Sequence, residues 1–176
     1  IWAVREYPST TDEKALLRHL GEKGHVILDV YSRAVSAIEE RKTIQHSAKT
    51  HKMDSNTSAD ISQAIGAQAN LQDVATLVKT LRDNREPLLH CAVYIELVGR
   101  DMEELRLLQT EVFAEMTRSK LNVDRLLLRQ QEGFLSVMPG GANRFGEQFE
   151  RALPASSVAN LYPFNYSGKT DAKGFY

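Results

Sequence analysis

Residues 88–98 constrain the fold of this chain more than any other part of the sequence. Their sequence, LLHCAVYIELV, has a period of two, and one face of an extended strand would carry Leu89, Cys91, Val93, Ile95 and Leu97. An uninterrupted alternation of this length is typical of a strand that buries one face in the core of a domain. We therefore predict a strand over 88–98, with Leu89, Val93 and Ile95 in the core and Tyr94 on the opposite, exposed face.

Three further strands and two helices are predicted around this segment. Residues 1–7, 25–31 and 121–127 combine β-branched and other apolar residues in short runs, which favours strands. A short leucine-rich helix ends near Gly21. A second helix is predicted over 101–118, with Asp101 as its N-cap and Glu104 at the capping-box position. The elements therefore follow one another as two βαβ units.

The two units are separated by a long polar stretch. Residues 34–83 contain no proline and a single glycine, Gly66, so helix is the economical interpretation. We predict helices over about 36–52 and 59–82, separated by a polar break. The predicted fold is α+β: a ferredoxin-like βαββαβ antiparallel sheet, with this helical pair inserted at about 34–84 between the second and third strands.

The C-terminal part of the sequence has a different character. From residue 138 onward it contains five of the chain's ten glycines and three of its five prolines. A short helix over 128–136 is predicted before this change, and an irregular extended segment after it. We therefore divide the chain into an α+β N-terminal domain, residues 1–137, and a connector, residues 138–176.

The charge balance argues against nucleic acid as a direct partner. The chain has 22 Lys+Arg and 23 Asp+Glu, and its formal net charge is -1, so it has no overall attraction for phosphate. Tyr94 is the only aromatic residue that the predicted exposed face of the central strand offers for base stacking. No run of residues is apolar enough to span a bilayer. The missing initiator Met and the abrupt C-terminal end predict a piece of a longer protein.

The sequence offers few residues in arrangements typical of catalytic, phosphate-binding or metal-binding sites. Residues 167–170, SGKT, match the end of a phosphate-binding loop, but Pro163 stands where that loop needs a glycine. His46 and His51 would point about 140° apart around a helix, too far apart to chelate one ion. We expect no catalytic, cofactor-binding or metal-binding residue in this chain. A basic run on the first inserted helix is either a solvated face or a contact for a partner or a membrane: Arg41, Lys42, Lys49 and Lys52.

The C-terminal third of the sequence resembles a known family. Residues 131–134 (QEGF), 138–143 (MPGGAN) and 151–164 (RALPASSVANLYPF) are similar to the segment that leads into the motor domain of the type IV secretion and conjugation ATPases, the TrbE/CagE class. Within that class the similarity is to proteins of Gram-positive conjugative elements. The similarity extends upstream through 88–98 and 101–118 and weakly to the start of the chain.

The resemblance implies an N-terminal interaction and assembly domain of a conjugative-transfer ATPase. The full-length protein would be an ATPase that uses ATP and Mg and energises DNA or protein transfer, whereas this fragment would not be an enzyme. Its partners would be components of the transfer channel and its own ATPase domain, in an oligomeric protein, cytoplasmic and peripheral at the cell membrane. Candidate contacts with the missing domain are Met138, Pro139, Leu161, Pro163 and Phe164.

A second hypothesis comes from a different functional class. The chain would then be a free-standing ferredoxin-like domain that binds a ligand or catalyses a reaction at a sheet edge or in its C-terminal segment. The two hypotheses differ in what they require downstream of Tyr176. The first requires a phosphate-binding GxxxxGK[ST] motif after a strand, and the second requires none.

Overall fold

A computed structural model describes most of the chain outside the predicted insertion. The described residues are 1–8, 16–36, 38–40, 42, 45–46, 75, 79, 81, 83 and 86–161, and all structural statements below concern these residues. They form an α+β structure with a five-stranded antiparallel sheet.

The elements lie close to where the sequence predicts them. The strands are β1 (Trp2–Glu6), β2 (Val26–Ala34), β3 (Leu88–Leu97), β4 (Asn122–Arg125) and β5 (Arg151–Pro154). The helices are α1 (Arg18–Gly21), α2 (Met102–Arg118), α3 (Gln130–Val137) and α4 (Ala155–Asn160), with a 3-10 turn at Gly146–Gln148. The predicted α+β class is thus confirmed, as are the four strands that the sequence indicated.

The strand order is β2-β3-β1-β4, and β5 also pairs with β3. In the antiparallel register, Trp2 lies opposite Ile95 of β3 and opposite Arg125 of β4. The long strand β3 therefore has three strand neighbours, and its first residues pair with β5 through Leu88 and Pro154. Of the described strands, β3 has the most partners, and β4 joins the sheet through β1.

Helix α2 begins where its capping residues predict. The carboxylate of Asp101 accepts a hydrogen bond of 2.8 Å from the Glu104 amide, which satisfies one of the amides that the first turn leaves without a helical partner. The Glu104 carboxylate accepts a 2.7 Å bond from the amide of Arg100, one residue before the cap. The predicted N-terminus of α2 is confirmed.

The predicted insertion is described only at its ends. Residues 38–40, 42, 45, 46, 75, 79, 81 and 83 are helical, whereas the predicted break between the two helices lies outside the described residues. Ser36 and Glu39 form a reciprocal capping box, in which each side chain accepts a hydrogen bond from the other residue's amide. These bonds hold the pKa of the exposed Glu39 carboxyl below its usual range, with smaller contributions from Arg33 and His90.

The prediction of an irregular segment after residue 138 is wrong for residues 151–160. Arg151–Pro154 is a strand paired with β3, and Ala155–Asn160 is a helix. The strand has four residues and ends in proline, so its local sequence gives little β signal. Pairing with β3 imposes its conformation, which is a tertiary effect that local propensity does not contain.

The described residues divide into two compact units. The first contains those between 1 and 31, 92–149 and 159–161, and the second contains those between 32 and 91 and 150–158. Within the second unit the guanidinium of Arg33 pairs with the Glu150 carboxylate at 3.0 Å. The amide of Ala155 donates to the Pro87 carbonyl at 3.1 Å, which fixes the start of α4.

The first unit buries its part of the sheet on both faces. On one face, Trp2 packs edge-on against Phe113 of α2, with 6.4 Å between ring centroids, and its register partner Ile95 is buried. The other face carries Ala3, Ala92 and Tyr94, buried together with Val137 of α3 and with aromatic residues that follow it. The prediction that Tyr94 is exposed is wrong, because the chain after β4 returns to cover this face.

We predict that Val93→Asp unfolds the first unit. Val93 is buried in β3, and an unpaired carboxylate at that position destabilises the fold by about 4 kcal/mol or more. Thermal unfolding followed by circular dichroism measures the effect. Leu107→Asp, at an exposed position of α2, serves as the control and should unfold as the wild type does. A Val93→Asp protein with an unchanged midpoint would contradict the burial of this strand.

Candidate functional site

The candidate site is a polar and aromatic layer on the second face of the sheet. Tyr31 of β2 and Tyr94 of β3 meet there edge to face, with 5.9 Å between ring centroids and 75° between ring planes. Phe145 and Phe149 pack on the Tyr94 ring at 5.6 and 6.3 Å. Such pairs add about 0.5–1.5 kcal/mol each beyond the area that they bury.

Asn143 connects this layer to the sheet. Its side-chain oxygen accepts hydrogen bonds from the Tyr94 hydroxyl at 2.7 Å and from the Phe145 amide at 3.1 Å. Its side-chain nitrogen donates to the carbonyl of Gly146 at 3.1 Å. One amide group therefore gives the buried tyrosine hydroxyl a partner and closes the turn that carries Phe145.

Tyr31 holds the turn that follows α3. Its hydroxyl lies within hydrogen-bonding distance of the Ser136 carbonyl and 3.2 Å from the Gly141 carbonyl, so one proton serves both oxygens. The buried Ser136 hydroxyl donates to the carbonyl of Glu132 and accepts from the amide of Arg144, both at 3.0 Å. These bonds join the end of α3, the turn and β2.

The two glycines of this turn are required by its geometry. Gly140 has a φ of 76°, a left-handed conformation that side chains disfavour. At Gly141 a Cβ atom would lie 2.5 Å from the Leu135 carbonyl oxygen and 2.8 Å from that of Met138. Only a residue without a Cβ fits there, so the glycine pair of the MPGGAN segment specifies this close turn.

Two arginines lie on the outer side of the aromatic layer. The guanidinium of Arg129 is 4.5 Å from the ring centroid of Phe145, and that of Arg5 is 5.7 Å from Phe149. Each also forms an ion pair, Arg129 with Glu132 at 2.5 Å and Arg5 with Asp124. Because each guanidinium already has a carboxylate partner, we assign these arginines to the stability of the layer.

Asp29 is the chemically unusual residue of the site. One of its carboxylate oxygens, Oδ2, is buried and has no hydrogen-bond partner among the described residues. Burial raises the pKa of Asp29, and the negative charge of Glu96 raises it further. Burial also raises the pKa of Tyr31, with an additional contribution from Asp29. A carboxyl group that retains its proton to higher pH can donate a hydrogen bond or transfer a proton.

The structure describes four of the residues that the sequence singled out as contacts: Lys42, Met138, Pro139 and Leu161. Met138 and Pro139 are exposed at the turn after α3, whereas the side chain of Leu161 is buried. Lys42 is helical and exposed, far along the sequence from the turn. The following predicted residues lie outside the described part of the chain: Arg41, Lys49, Lys52, Pro163, Phe164 and residues 167–170.

Sequence reasoning did not identify the residues that organise this site. Asp29 and Tyr31 lie in a segment of ordinary composition that no short motif marks, whereas Asn143 ends the MPGGAN segment, and no structural role was expected for this asparagine. The usable signal was the glycine pair at 140 and 141 together with Phe145 and Phe149, four residues apart. A tight turn followed by spaced aromatic residues indicates a segment that packs, rather than an open connector.

Among the described residues, no group of three or more His, Cys, Asp or Glu side chains is arranged to hold a metal ion. In the same part of the chain, no helix combines the length and apolar character needed to cross a membrane. No protein-family model matches the sequence, and no curated protein matches it either.

We predict that the hydrogen bonds of Tyr31 and those of Asn143 stabilise the first unit unequally. Tyr31→Phe removes a donor from two carbonyls and should lower the free energy of unfolding by about 1 kcal/mol. Asn143→Ala removes an acceptor from both the buried Tyr94 hydroxyl and the Phe145 amide and should lower it by about 2–3 kcal/mol. Urea unfolding measures both. Asn122→Ala, which removes an exposed amide that bonds to Glu6, is the control. Equal urea midpoints for all three variants and the wild type would show that these hydrogen bonds do not stabilise the unit.

We also predict a specific pH dependence from Asp29. The pKa of Asp29 is raised above the usual 3.8, so the folded state binds this proton more tightly than the unfolded state does. The stabilisation that results from the bound proton is lost as the pH rises from 3.8 through the raised pKa. Asp29→Asn should therefore melt at a higher temperature than the wild type at pH 7. Near pH 3 the two melting temperatures should lie closer together. Melting curves across this range test the prediction, and an Asp29→Asn protein that is less stable at pH 7 would contradict it.

Proposed function

We propose that this chain is the N-terminal interaction and assembly domain of a conjugative-transfer (type IV secretion) ATPase. The proposal rests on the similarity of residues 131–134, 138–143 and 151–164 to that family. In this proposal the fold is the ferredoxin-like split βαβ arrangement with an insertion at about 34–84. The order β2-β3-β1-β4 supports it, because β3 lies between β1 and β2, and β1 lies between β3 and β4.

The observation that carries the proposal is the way the MPGGAN segment is held. Tyr31 and Asn143 fix this segment on the sheet from both sides of the glycine pair. The same turn leaves Met138 and Pro139 exposed, and 44% of the Met138 surface is accessible. A turn that is held by hydrogen bonds and presents an apolar side chain to solvent is suited to contact another domain or protein.

In the family that the chain resembles, this position precedes the motor domain. We propose that Met138 and Pro139, with Pro163 and Phe164, contact that ATPase domain, which would bind ATP and Mg. Leu161, which the sequence also suggested for this contact, is left out because its side chain is buried. The full-length protein would be cytoplasmic and peripheral at the membrane, with channel components as partners. The basic residues Arg41, Lys42, Lys49 and Lys52 are the proposed contact with a partner or with anionic lipid.

The first test concerns the natural gene. The codons downstream of Tyr176 should encode a strand followed by GxxxxGK[ST].

The decisive test uses the full-length product of that gene in a mating assay. Met138→Asp should lower transfer at least about tenfold, which corresponds to about 1.4 kcal/mol of lost interaction. Leu107→Asp, at an exposed site on α2, should leave transfer unchanged. Normal transfer by the Met138→Asp protein would contradict the proposed contact.

The alternative, a free-standing ligand-binding or enzymatic domain, is favoured by one observation. The buried Oδ2 of Asp29 lacks a partner among the described residues, and a bound ligand with a hydrogen-bond donor would supply one. A stop codon close after Tyr176, together with a small molecule whose binding is lost in Asp29→Asn, would support this alternative over the assembly domain.

A further inference from the structure

Strand β2 forms one edge of the sheet. Its only neighbour among the described strands is β3. The Val98 amide donates to the His25 carbonyl at 3.0 Å, and the Val35 amide donates to the Leu88 carbonyl at 3.2 Å. Both pairs fit one antiparallel register, so the ladder between the two strands has no bulge from one pair to the other.

This register decides which backbone groups of β2 face the open edge. Odd-numbered residues, such as His25, exchange hydrogen bonds with β3, so even-numbered residues turn their amides and carbonyls away from it. In the part of β2 that belongs to the first unit, these are Val26, Leu28 and Val30. Among the described residues, no backbone hydrogen bond joins them to another element. Their N–H and C=O groups form a row that can pair with an added strand.

The edge lacks several features that usually prevent a strand from pairing with other chains. β2 has nine residues and contains no proline, glycine or lysine, whereas β4 at the opposite edge has only four residues. The exposed fractions of Ile27 and Val30 are 47 and 39%. Natural sheets usually protect such an edge by shortening, kinking or charging it. A long, regular and partly apolar edge is therefore suited to accept a partner strand.

Asp29 gives this edge a chemical preference. Its side chain lies on the second face of the sheet with that of Tyr31, two residues along the strand. The residue is half-buried, and its Oδ2 atom has no hydrogen-bond partner among the described residues. The nearby charge of Glu96 is also negative. A positively charged donor would satisfy this oxygen and offset both carboxylates.

The cations of the chain nearest to Asp29 do not supply this donor. His25 and Arg33 lie four residues before and after it, which is about 13 Å along a strand. The guanidinium of Arg33 already has a carboxylate partner at 3.0 Å. The amino group of Ile1 lies near Glu96 and donates to a side chain of α3 at 2.6 Å. The donor that Asp29 lacks can therefore come from a bound partner.

We propose that the open edge of β2 binds an extended segment of a partner protein that has a lysine or arginine opposite Asp29 and apolar residues on either side. The segment would pair with the backbone of Val26, Leu28 and Val30 as an added strand. Asp29 bonds towards β3, so the residue opposite it would belong to the closer kind of antiparallel pair, with about 4.5 Å between Cα atoms. This site goes beyond the proposed function, because strand addition here does not depend on an ATPase domain.

A capped synthetic peptide, STVVKVVTS, probes the edge. Its sequence is palindromic, so it presents lysine between apolar residues in either strand direction. In NMR titrations of the whole nitrogen-15-labelled chain, it should bind with a dissociation constant below about 1 mM and shift the amide signals of Leu28 and Val30. The peptide STVVEVVTS should bind at least about tenfold more weakly, because its carboxylate would face Asp29. No saturable shift of these two amides would overturn the proposal.

A proline substitution tests the backbone contact. Val30→Pro removes an amide that faces the open edge and keeps the bonds between β2 and β3. This variant should retain the circular dichroism spectrum of the wild type and lose the binding of both peptides. Val30→Thr is the matched control and should bind as the wild type does. A folded Val30→Pro protein that still binds the lysine peptide would overturn the proposed strand addition.

A charge substitution tests the role of Asp29. In Asp29→Asn the affinities of the two peptides should lie within about threefold of each other. Glu103→Gln removes an exposed carboxylate of α2 and should keep the tenfold preference for lysine. Stronger binding of both peptides by Asp29→Asn would show that Asp29 protects the edge, which would overturn the proposal. The mating assay with Met138→Asp concerns a different surface, so its result tests the proposed function independently.

Discussion

The structure of the first unit depends on covering both faces of β3. Five consecutive residues of this strand, Cys91 to Ile95, are buried, so the chain must supply apolar layers on two sides. Helix α2 covers one side, and α3 with the aromatic turn after it covers the other. Tyr94 makes the second layer specific, because its buried hydroxyl requires a partner and Asn143 is that partner.

That requirement explains the local chemistry of residues 136–149. The glycines at 140 and 141 allow a turn close enough for the Tyr31 hydroxyl to reach two carbonyls. Phe145 and Phe149, which follow this turn, then pack against the ring of Tyr94. Apolar packing supplies most of the free energy of this layer, whereas the three hydrogen bonds at Asn143 fix where the layer sits.

The parts of the fold that repeat a local pattern were predictable from the sequence. The alternation in β3 and the cap at Asp101 each contain enough information within a few residues to define an element. β5 and the burial of Tyr94 were not predictable, because both result from residues about fifty or more positions away in the sequence. The candidate site was missed for the same reason, since Asp29 and Asn143 acquire their properties only from neighbours that the fold supplies.

The three strand neighbours of β3 also affect how the chain is made. β1 and β2 leave the ribosome before β3, but β5 and the Asn143 turn follow it. Until about residue 154 has been synthesised, the nascent chain carries a strand with an open pairing edge and an uncovered tyrosine face. Completion of the fold therefore waits for its C-terminal segment, and a truncation before this point would leave the central strand available for pairing with other chains.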